Sequence, residues 1–346
     1  MLLTSVALDT AALVLLVAKP PHVLTRLARR PVAGAAAAGA GLSIGMTVIG
    51  LPLSMLSEQR ARNAGLSIQN WRSWTGDVAK STAVGAGMAG AGSALGIAVI
   101  RRFPRTWWAP GSAGIVAASA LLAFASPVVI DPLFNKFERL PDGPLRDEVL
   151  GVARGAQVNV GEVFRVDASR RTTATNAYVW GLGKTKRVVM YDTLIRDYPD
   201  DEVRSVVAHE LSHVVYRDVL RGLAWLALVA PTATLLVKEL AERLNRGRSL
   251  GVPAALPALG LAAGIAGALL GSASNALSRR VERRADAFAL DLTRDADAFV
   301  GLTRRLALTN LADPSTPRIW QLLLGTHPTT MERIGAGLAW AREHGL

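Results

Sequence analysis

Asp200-Asp201-Glu202-Val203-Arg204-Ser205-Val206-Val207-Ala208-His209-Glu210-Leu211-Ser212-His213 leads through Val214-Val215-Tyr216-Arg217-Asp218 into the apolar run Val219–Val237. The acidic opening after Pro199 reads as a helix start, and Val203, Val206 and Val207 supply an apolar face, so a helix is predicted here. On a helix, residues four apart share a face. His209 and His213 can then reach one zinc ion, while Glu210 projects beside them to act as general base on a metal-activated water. A histidine pair serving structure alone would need no glutamate between its members.

Catalytic zinc takes three protein ligands and keeps one position open, so a third ligand is expected. Ser278-Arg279-Arg280-Val281-Glu282-Arg283-Arg284-Ala285-Asp286 is the candidate. Glu282 lies 69 residues beyond His213 and must come from another helix. Asp286, one turn further on, can accept the spare N–H of a zinc-bound histidine and fix its tautomer. Such charge density otherwise marks a solvated, salt-bridged helix; with H-E-x-x-H upstream, the ligand reading is preferred. The expected cofactor is Zn2+, one ion per chain.

Working outward, six runs approach the 17–25 or so residues a helix needs to cross a bilayer: Met1–Ala18, Val32–Leu56, Ser81–Ile100, Trp107–Ile130, Val219–Val237 and Gly251–Leu277. The second, third and sixth are dense in Gly and Ala, which allows close helix approach in lipid. Trp107 and Trp108 open the fourth where an interfacial aromatic belongs. The first is short and carries Asp9, and it reads either as a span or as an uncleaved signal anchor.

The 346 residues are half hydrophobic, a fraction that decides little without this clustering. There is no cysteine, which excludes disulfides and thiolate metal sites. The net charge of +12 fits nucleic acid or anionic lipid. Much of the excess sits in short loops between apolar runs, which favours the bilayer as partner and no nucleic acid. Two polar segments interrupt the spans. The larger, Asp131–Asp218, holds a helix-like stretch at Leu145–Gln157. It also holds β-like pieces at Val163–Val166, Ala177–Trp180 and Arg187–Tyr191, the last two joined across Gly181-Leu182-Gly183-Lys184 as in a hairpin. The smaller, Ser278–Leu346, is helical in pattern. The predicted fold is an α-helical integral membrane protein of about six transmembrane helices, with a zinc metallopeptidase domain carrying a small β-hairpin or sheet. Helices 1–4 occupy residues 1–130, a catalytic segment 131–218, helices 5–6 residues 219–277, and a second catalytic segment 278–346.

The chain resembles the type I CAAX prenyl endopeptidases and their bacterial relatives, which include the HtpX-type membrane proteases. The resemblance runs from Asp131 to about Arg333. Pro132-Leu133-Phe134-Asn135-Lys136-Phe137, Asn176-Ala177-Tyr178, and Arg187–Leu194 with Asp192-Thr193-Leu194 resemble family segments. So does the zinc helix, extended to Asp218 in the form H-E-x-x-H-x-x-x-x-D. Ser278-Arg279-x-x-Glu282-x-x-Ala285-Asp286, and His327-Pro328 followed by Arg333, complete the match. There are two departures: six candidate spans stand where the prenyl proteases usually have seven, and Asn63-Ala64-Gly65-Leu66-Ser67 replaces the usual Gly-Phe-Asn-Lys loop.

The resemblance implies further roles. Asn176, Ala177 and Tyr178 would line an edge strand on which substrate lies, since an unpaired edge binds an extended peptide through its backbone. His327 and Arg333 would polarise the scissile carbonyl and stabilise the oxyanion. The bland alternatives are a turn or strand-start residue for Asn176, a helix N-terminal residue for His327, and an ion pair with Glu332 or another carboxylate for Arg333. Asp218 reads as structural. The expected function is endoproteolysis of membrane proteins or membrane-associated peptides. The alternative is a non-proteolytic sensor or scaffold with a structural zinc site, which would need no Glu210. A transporter is disfavoured because most charges lie outside the apolar runs.

Orientation in the cell membrane sets two arguments against each other. With six spans, Lys19–Pro31, Arg101–Thr106 and Lys238–Leu250 share one side and hold eleven Lys and Arg; Ser57–Lys80, the short loop on the catalytic side, holds four. Charge counting puts the eleven in the cytoplasm. The resemblance implies the reverse, a cytoplasmic catalytic domain, and that is the orientation expected here.

Overall fold

The computed structural model describes residues 2–181 and 186–345. The chain divides into two compact units. The first comprises Met1–Ala61, Asn70–Ala120 and Leu223–Leu270; the second comprises Arg62–Gln69, Leu121–Gly222 and Gly271–Leu346.

Long helices form the first unit: α1 (Leu2–Ala18), the short α2 (His22–Arg26), α3 (Pro31–Asn63), α4 (Trp71–Arg102), and parts of three helices that also include residues of the second unit, α5 (Trp108–Val129), α10 (Asp218–Leu244) and α11 (Leu256–Thr293). Among the described residues, five helical stretches are long and apolar enough to cross a membrane: Pro31–Asn63, Trp71–Arg102, Trp108–Phe134, Asp218–Leu244 and Pro253–Thr293. A sixth exists if α1 and the turn after it, bent by 59°, count as one broken span. Side chains such as Leu95, Leu121, Leu228 and Leu269 point outward, largely exposed. An apolar exterior over polar backbone bonded within each helix is what hydrocarbon requires.

The small residues are used where α3 meets α4. Gly34, Ala35, Ala38 and Gly39 of α3 are buried, as are Ala86 and Gly90 of α4. A methyl at Gly39 would lie 2.2 Å from Ser93 Oγ and 2.7 Å from the Ala89 carbonyl; one at Gly90 would lie 3.0 Å from the Ala36 carbonyl. The backbones therefore touch, and close approach is what holds helices together where lipid offers no hydrophobic drive.

The second unit is built on a four-stranded sheet, ordered β1-β2-β4-β3. Its strands are β1 (Phe137–Arg139), β2 (Glu162–Val166), β3 (Ala177–Trp180) and β4 (Arg187–Tyr191). β1 pairs antiparallel to β2, β2 parallel to β4, and β3 antiparallel to β4. The hairpin expected of β3 and β4 is present; its connecting turn falls, from Leu182 to Lys184, outside the described residues. Helices α6 (Asp131–Phe134), α7 (Pro144–Gly155), α8 (Asp192–Asp197), α9 (Asp200–Val215), α12 (Ala296–Thr309), α13 (Arg318–Leu324) and α14 (Thr330–Glu343) complete the unit. Val163, Val188 and Met190 of the sheet share one core with Leu194, Val203, Val207, Leu211 and Leu302. Three of these, Val203, Val207 and Leu211, recur every four residues on α9, so one face of that helix is sealed against the sheet.

One expectation is corrected. The zinc helix does not extend to Asp218. α9 stops at Val215, Arg217 takes a left-handed φ of 56°, and Asp218 opens α10 (Asp218–Leu244). The third-ligand segment lies, as expected, on another helix: α11 (Leu256–Thr293) begins within the sixth apolar run and continues past Asp286.

The contact between α3 and α4 yields a paired test. Gly39→Leu is expected to lower the thermal midpoint of the detergent-purified protein by several degrees, overpacking costing about 1–3 kcal/mol. Gly45→Leu, on the same helix with no heavy atom within 4 Å of an added Cβ, is expected to leave it unchanged. Equal midpoints would remove the packing role.

Candidate metal centre

With one face of α9 sealed against the sheet, His209 and His213 share another, their rings 5.3 Å apart. Each imidazole has a carboxylate at Nδ1: His213 Nδ1 is hydrogen-bonded to Asp218 Oδ2 at 3.0 Å, and His209 Nδ1 lies 2.9 Å from Asp286 Oδ1, close enough for an ion pair but outside hydrogen-bond geometry. Both Nε2 atoms then face Glu282, at 3.2 Å from Oε2 for His209 and 4.0 Å from Oε1 for His213. The bend at Arg217 matters here. On a continuous helix, Asp218 would sit about 140° around the axis from His213, five residues on. The break at Val215 is what brings its carboxylate back onto the ring. Arg284 binds the other oxygen of Asp218.

This arrangement fits a zinc ion. Two imidazole Nε2 atoms and a carboxylate converge on one point, with His213 Nδ1 bonded in the way that orients metal-binding histidines and a carboxylate close to His209 Nδ1. Burial pushes the His209 imidazole down, but Asp286 and Glu282 outweigh it and raise its pKa to about 9. The surroundings therefore ask for positive charge at this ring, which a divalent cation supplies in place of the proton. Glu210 is the second carboxylate near the pair; one ligand atom each from His209, Glu210 and His213 lie within 4.8 Å of one another. Glu282 approaches the Nε2 atoms along the direction their Nδ1 partners leave open. Burial raises the pKa of Glu210, which suits a group that must both take and return a proton near neutral pH.

Asp286 is 3% exposed and serves two partners. Arg333 of α14 forks onto it, Nε to Oδ2 at 2.9 Å and Nη2 to Oδ1 at 2.7 Å. Glu332 is committed to capping its own helix by accepting from Thr329 N at 2.8 Å, so the surface pair with Arg333 is not formed. His327 is brought to the same place: its Nε2 lies 3.5 Å from Glu282 Oε2, and its ring is 63% exposed. Thr326 Oγ1 stands 2.9 Å from its Nδ1.

β3 is an edge strand whose outer side pairs with no strand among the described residues, and it packs against α9. Asn176 is exposed just before it and accepts from Ala177 N at 3.0 Å; Ala177 is buried; Tyr178 is half-buried, its hydroxyl donating to Asp131 Oδ2 at 3.5 Å. The loop Arg62–Gln69 joins the sheet side of the unit, with Ile68 N donating to Arg171 O at 3.0 Å and Thr173 N to Leu66 O at 3.1 Å.

Every residue singled out around the metal motif is thus gathered at one place. Sequence reasoning missed Asp218 as a histidine partner, because the helix break that delivers it has no glycine to announce it. It also missed Thr326, a hydroxyl whose only signal is adjacency to His327.

Membrane-length helices and a buried H-E-x-x-H centre beside a free strand edge define a membrane metallopeptidase. The family model described as Peptidase family M48 matches residues 139–341, and that described as CAAX prenyl protease N-terminal, five membrane helices, matches residues 3–136. The Bacillus subtilis protein named uncharacterized metalloprotease YhfN is 32% identical over 300 residues, covering 85% of this chain and 70% of its own length. CAAX prenyl protease 1 of Saccharomyces cerevisiae is 32% identical over 174 residues, 48% of this chain and 37% of its own. The crystal structure of S. mikatae Ste24p superposes with a TM-score of 0.75 at 25% identity, covering 86% of this chain and 74% of that one. The chain belongs to peptidase family M48, and it is a multi-pass membrane zinc endopeptidase.

Asp218→Asn keeps the side chain's shape and removes its charge. It is expected to weaken zinc binding by about 10–100-fold, the usual effect of losing an outer carboxylate. Competition with a chromophoric chelator measures this; unchanged affinity would leave Asp218 as a helix-end residue only.

Proposed function

We propose that one zinc ion per chain is held by His209, His213 and Glu282, with Glu210 as general base. The observation that carries this reading is the convergence of both Nε2 atoms on Glu282, with Asp218 hydrogen-bonded to His213 Nδ1 and Asp286 standing 2.9 Å from His209 Nδ1. A bound zinc would supply Lewis-acid chemistry, activating water and polarising the scissile carbonyl. Glu210 takes the proton of the attacking water and returns it to the leaving amine. The peptide lies extended along the free edge of β3, its backbone bonded there beside Asn176, Ala177 and Tyr178. His327, with Nδ1 accepting from Thr326, presents Nε2–H to the oxyanion; Arg333 adds positive charge and keeps Asp286 against His209.

The substrates are membrane proteins or membrane-associated peptides, a reading supported by the nearness of His213 to the first residue of the candidate span Asp218–Leu244. The sensor or scaffold alternative has no observation in its favour, since a structural zinc site fills its fourth position and uses no base.

Glu210→Gln is expected to retain zinc and lose cleavage of a quenched peptide by about 10²–10⁴-fold; a smaller loss, within about tenfold, would sink the assignment. Arg333→Ala is expected to keep zinc and lower kcat by about 10²–10³. Loss of zinc instead would confine Arg333 to holding Asp286.

The enzyme is placed in the cell membrane with its catalytic side cytoplasmic, supported by the match to the prenyl protease N-terminal helices and opposed by the charge count of eleven against four. Paired C-terminal reporters, one active only in the cytoplasm and one only outside, decide between them. An outside-active result would reverse the orientation and make extracytoplasmic proteins the substrates.

A further inference from the structure

α13 is a seven-residue helix, Arg318-Ile319-Trp320-Gln321-Leu322-Leu323-Leu324, and none of its residues is buried. Ile319 is 62% exposed and Leu322 51%, and Trp320, Leu323 and Leu324 are exposed as well. Five large apolar side chains on one short helix make a patch that water does not tolerate without a cover.

The way this helix is fastened shows what covers it. Its carbonyls are gripped from α11. Asn275 Nδ2 donates to Leu323 O at 2.7 Å, and Arg279 Nη1 donates to Gln321 O at 3.0 Å and to Gly325 O at 2.5 Å. Arg279, although charged, is buried in making this clasp. Asn275 and Arg279 stand on α11 where the apolar run Gly251–Leu277 gives way to Ser278-Arg279-Arg280-Val281-Glu282-Arg283-Arg284. A helix tied at that point lies at the depth where the span leaves the hydrocarbon. Its own residues agree: Trp320 and Arg318 are types that settle at the headgroup level. Exposed Arg280 and Arg283 next to the clasp offer partners for lipid phosphates.

We propose that α13 is a membrane-interfacial helix, its apolar side chains lodged at the headgroup–acyl boundary of a phospholipid bilayer. The chain passes from α13 through Gly325 and Thr326 to His327, and Gln321 Nε2 donates to His327 O at 2.6 Å. The helix resting on lipid thus also holds His327 in place. That last consequence rests on the role given to His327 above; the lipid contact does not.

The absence of cysteine makes the test direct. Ile319→Cys, Leu322→Cys and Leu323→Cys each provide one nitroxide site in the full chain, reconstituted in phospholipid nanodiscs. Collisions are measured with oxygen, which concentrates in lipid, and with a water-soluble nickel chelate. Leu269→Cys, outward-facing on the apolar part of α11, and Glu343→Cys, exposed at the end of α14, give the lipid and water references. Circular dichroism identical to that of the unlabelled chain certifies each fold. All three labels are expected to show an oxygen-to-nickel ratio severalfold above that at Glu343→Cys and approaching that at Leu269→Cys. A ratio equal to the Glu343→Cys value at all three positions would overturn the proposal. So would low collision with both reagents together with dipolar broadening that disappears on mixing with excess unlabelled chain, the signature of a second copy as cover. The readout does not use peptidase activity, so failure of the catalytic reading and failure of this one are distinguishable.

Discussion

Asp286 is a carboxylate taken almost wholly out of water, and an unpaired charge in that position would cost several kcal/mol. It is tolerated because Arg333 forks onto both oxygens and His209 approaches one of them. Three helices are therefore tied at one atom group: α11 supplies the acid, α14 the guanidinium, α9 the imidazole. Much of the surrounding architecture serves this knot. The capping box at Thr329 and Glu332 starts α14 at the residue that points Arg333 inward, and it removes Glu332 as a competing partner. Gly337 lets α14 lie against Phe299 of α12, where an added methyl would come within 2.9 Å of the ring. On the far side, the pair formed by buried Glu202 in the first turn of α9 and Arg305 of α12 fixes the zinc helix to the same support.

The chemistry was more legible in the sequence than the geometry that serves it. His209, Glu210 and His213 follow from helical period, and Glu282 with Asp286 from the demand for a third ligand and an oriented ring. The spans follow from their apolar length. The strand β1 was not legible: three residues, Phe137, Glu138 and Arg139, carry no alternation, and the strand is held by backbone pairing and by the ion pair of Glu138 with Arg165 on β2. The end of α9 was not legible either. Arg217 is an ordinary helix former, and its left-handed conformation, which costs a non-glycine residue about 1–2 kcal/mol, is offset by contacts of the residue that follows it. Asp218, binding both His213 and Arg284, is the residue those contacts hold. His213 lies five residues before Asp218 but Arg284 lies 66 residues beyond it on another helix, so a local sequence window contains only one of the two partners.

The charges of the two units are arranged differently. The basic excess is concentrated in loops that belong to the first unit, whereas many carboxylates of the second are paired with arginines of the same unit. Lys238, near the end of α10, is matched by Glu239 and Glu242 on its own helix.

The turn at Arg217 has one more consequence. Because Asp218 both bonds to His213 and opens a helix long and apolar enough to cross a membrane, the metal centre proposed above would lie within one or two helical turns of that helix's apolar run, on the order of 10 Å. The enzyme thus carries a ruler. A bilayer-anchored polypeptide presents its juxtamembrane residues at the correct height, held there by its own anchor, and the dimensionality of the search falls from a volume to a plane. A freely diffusing protein must instead bring an extended segment down to the lipid surface.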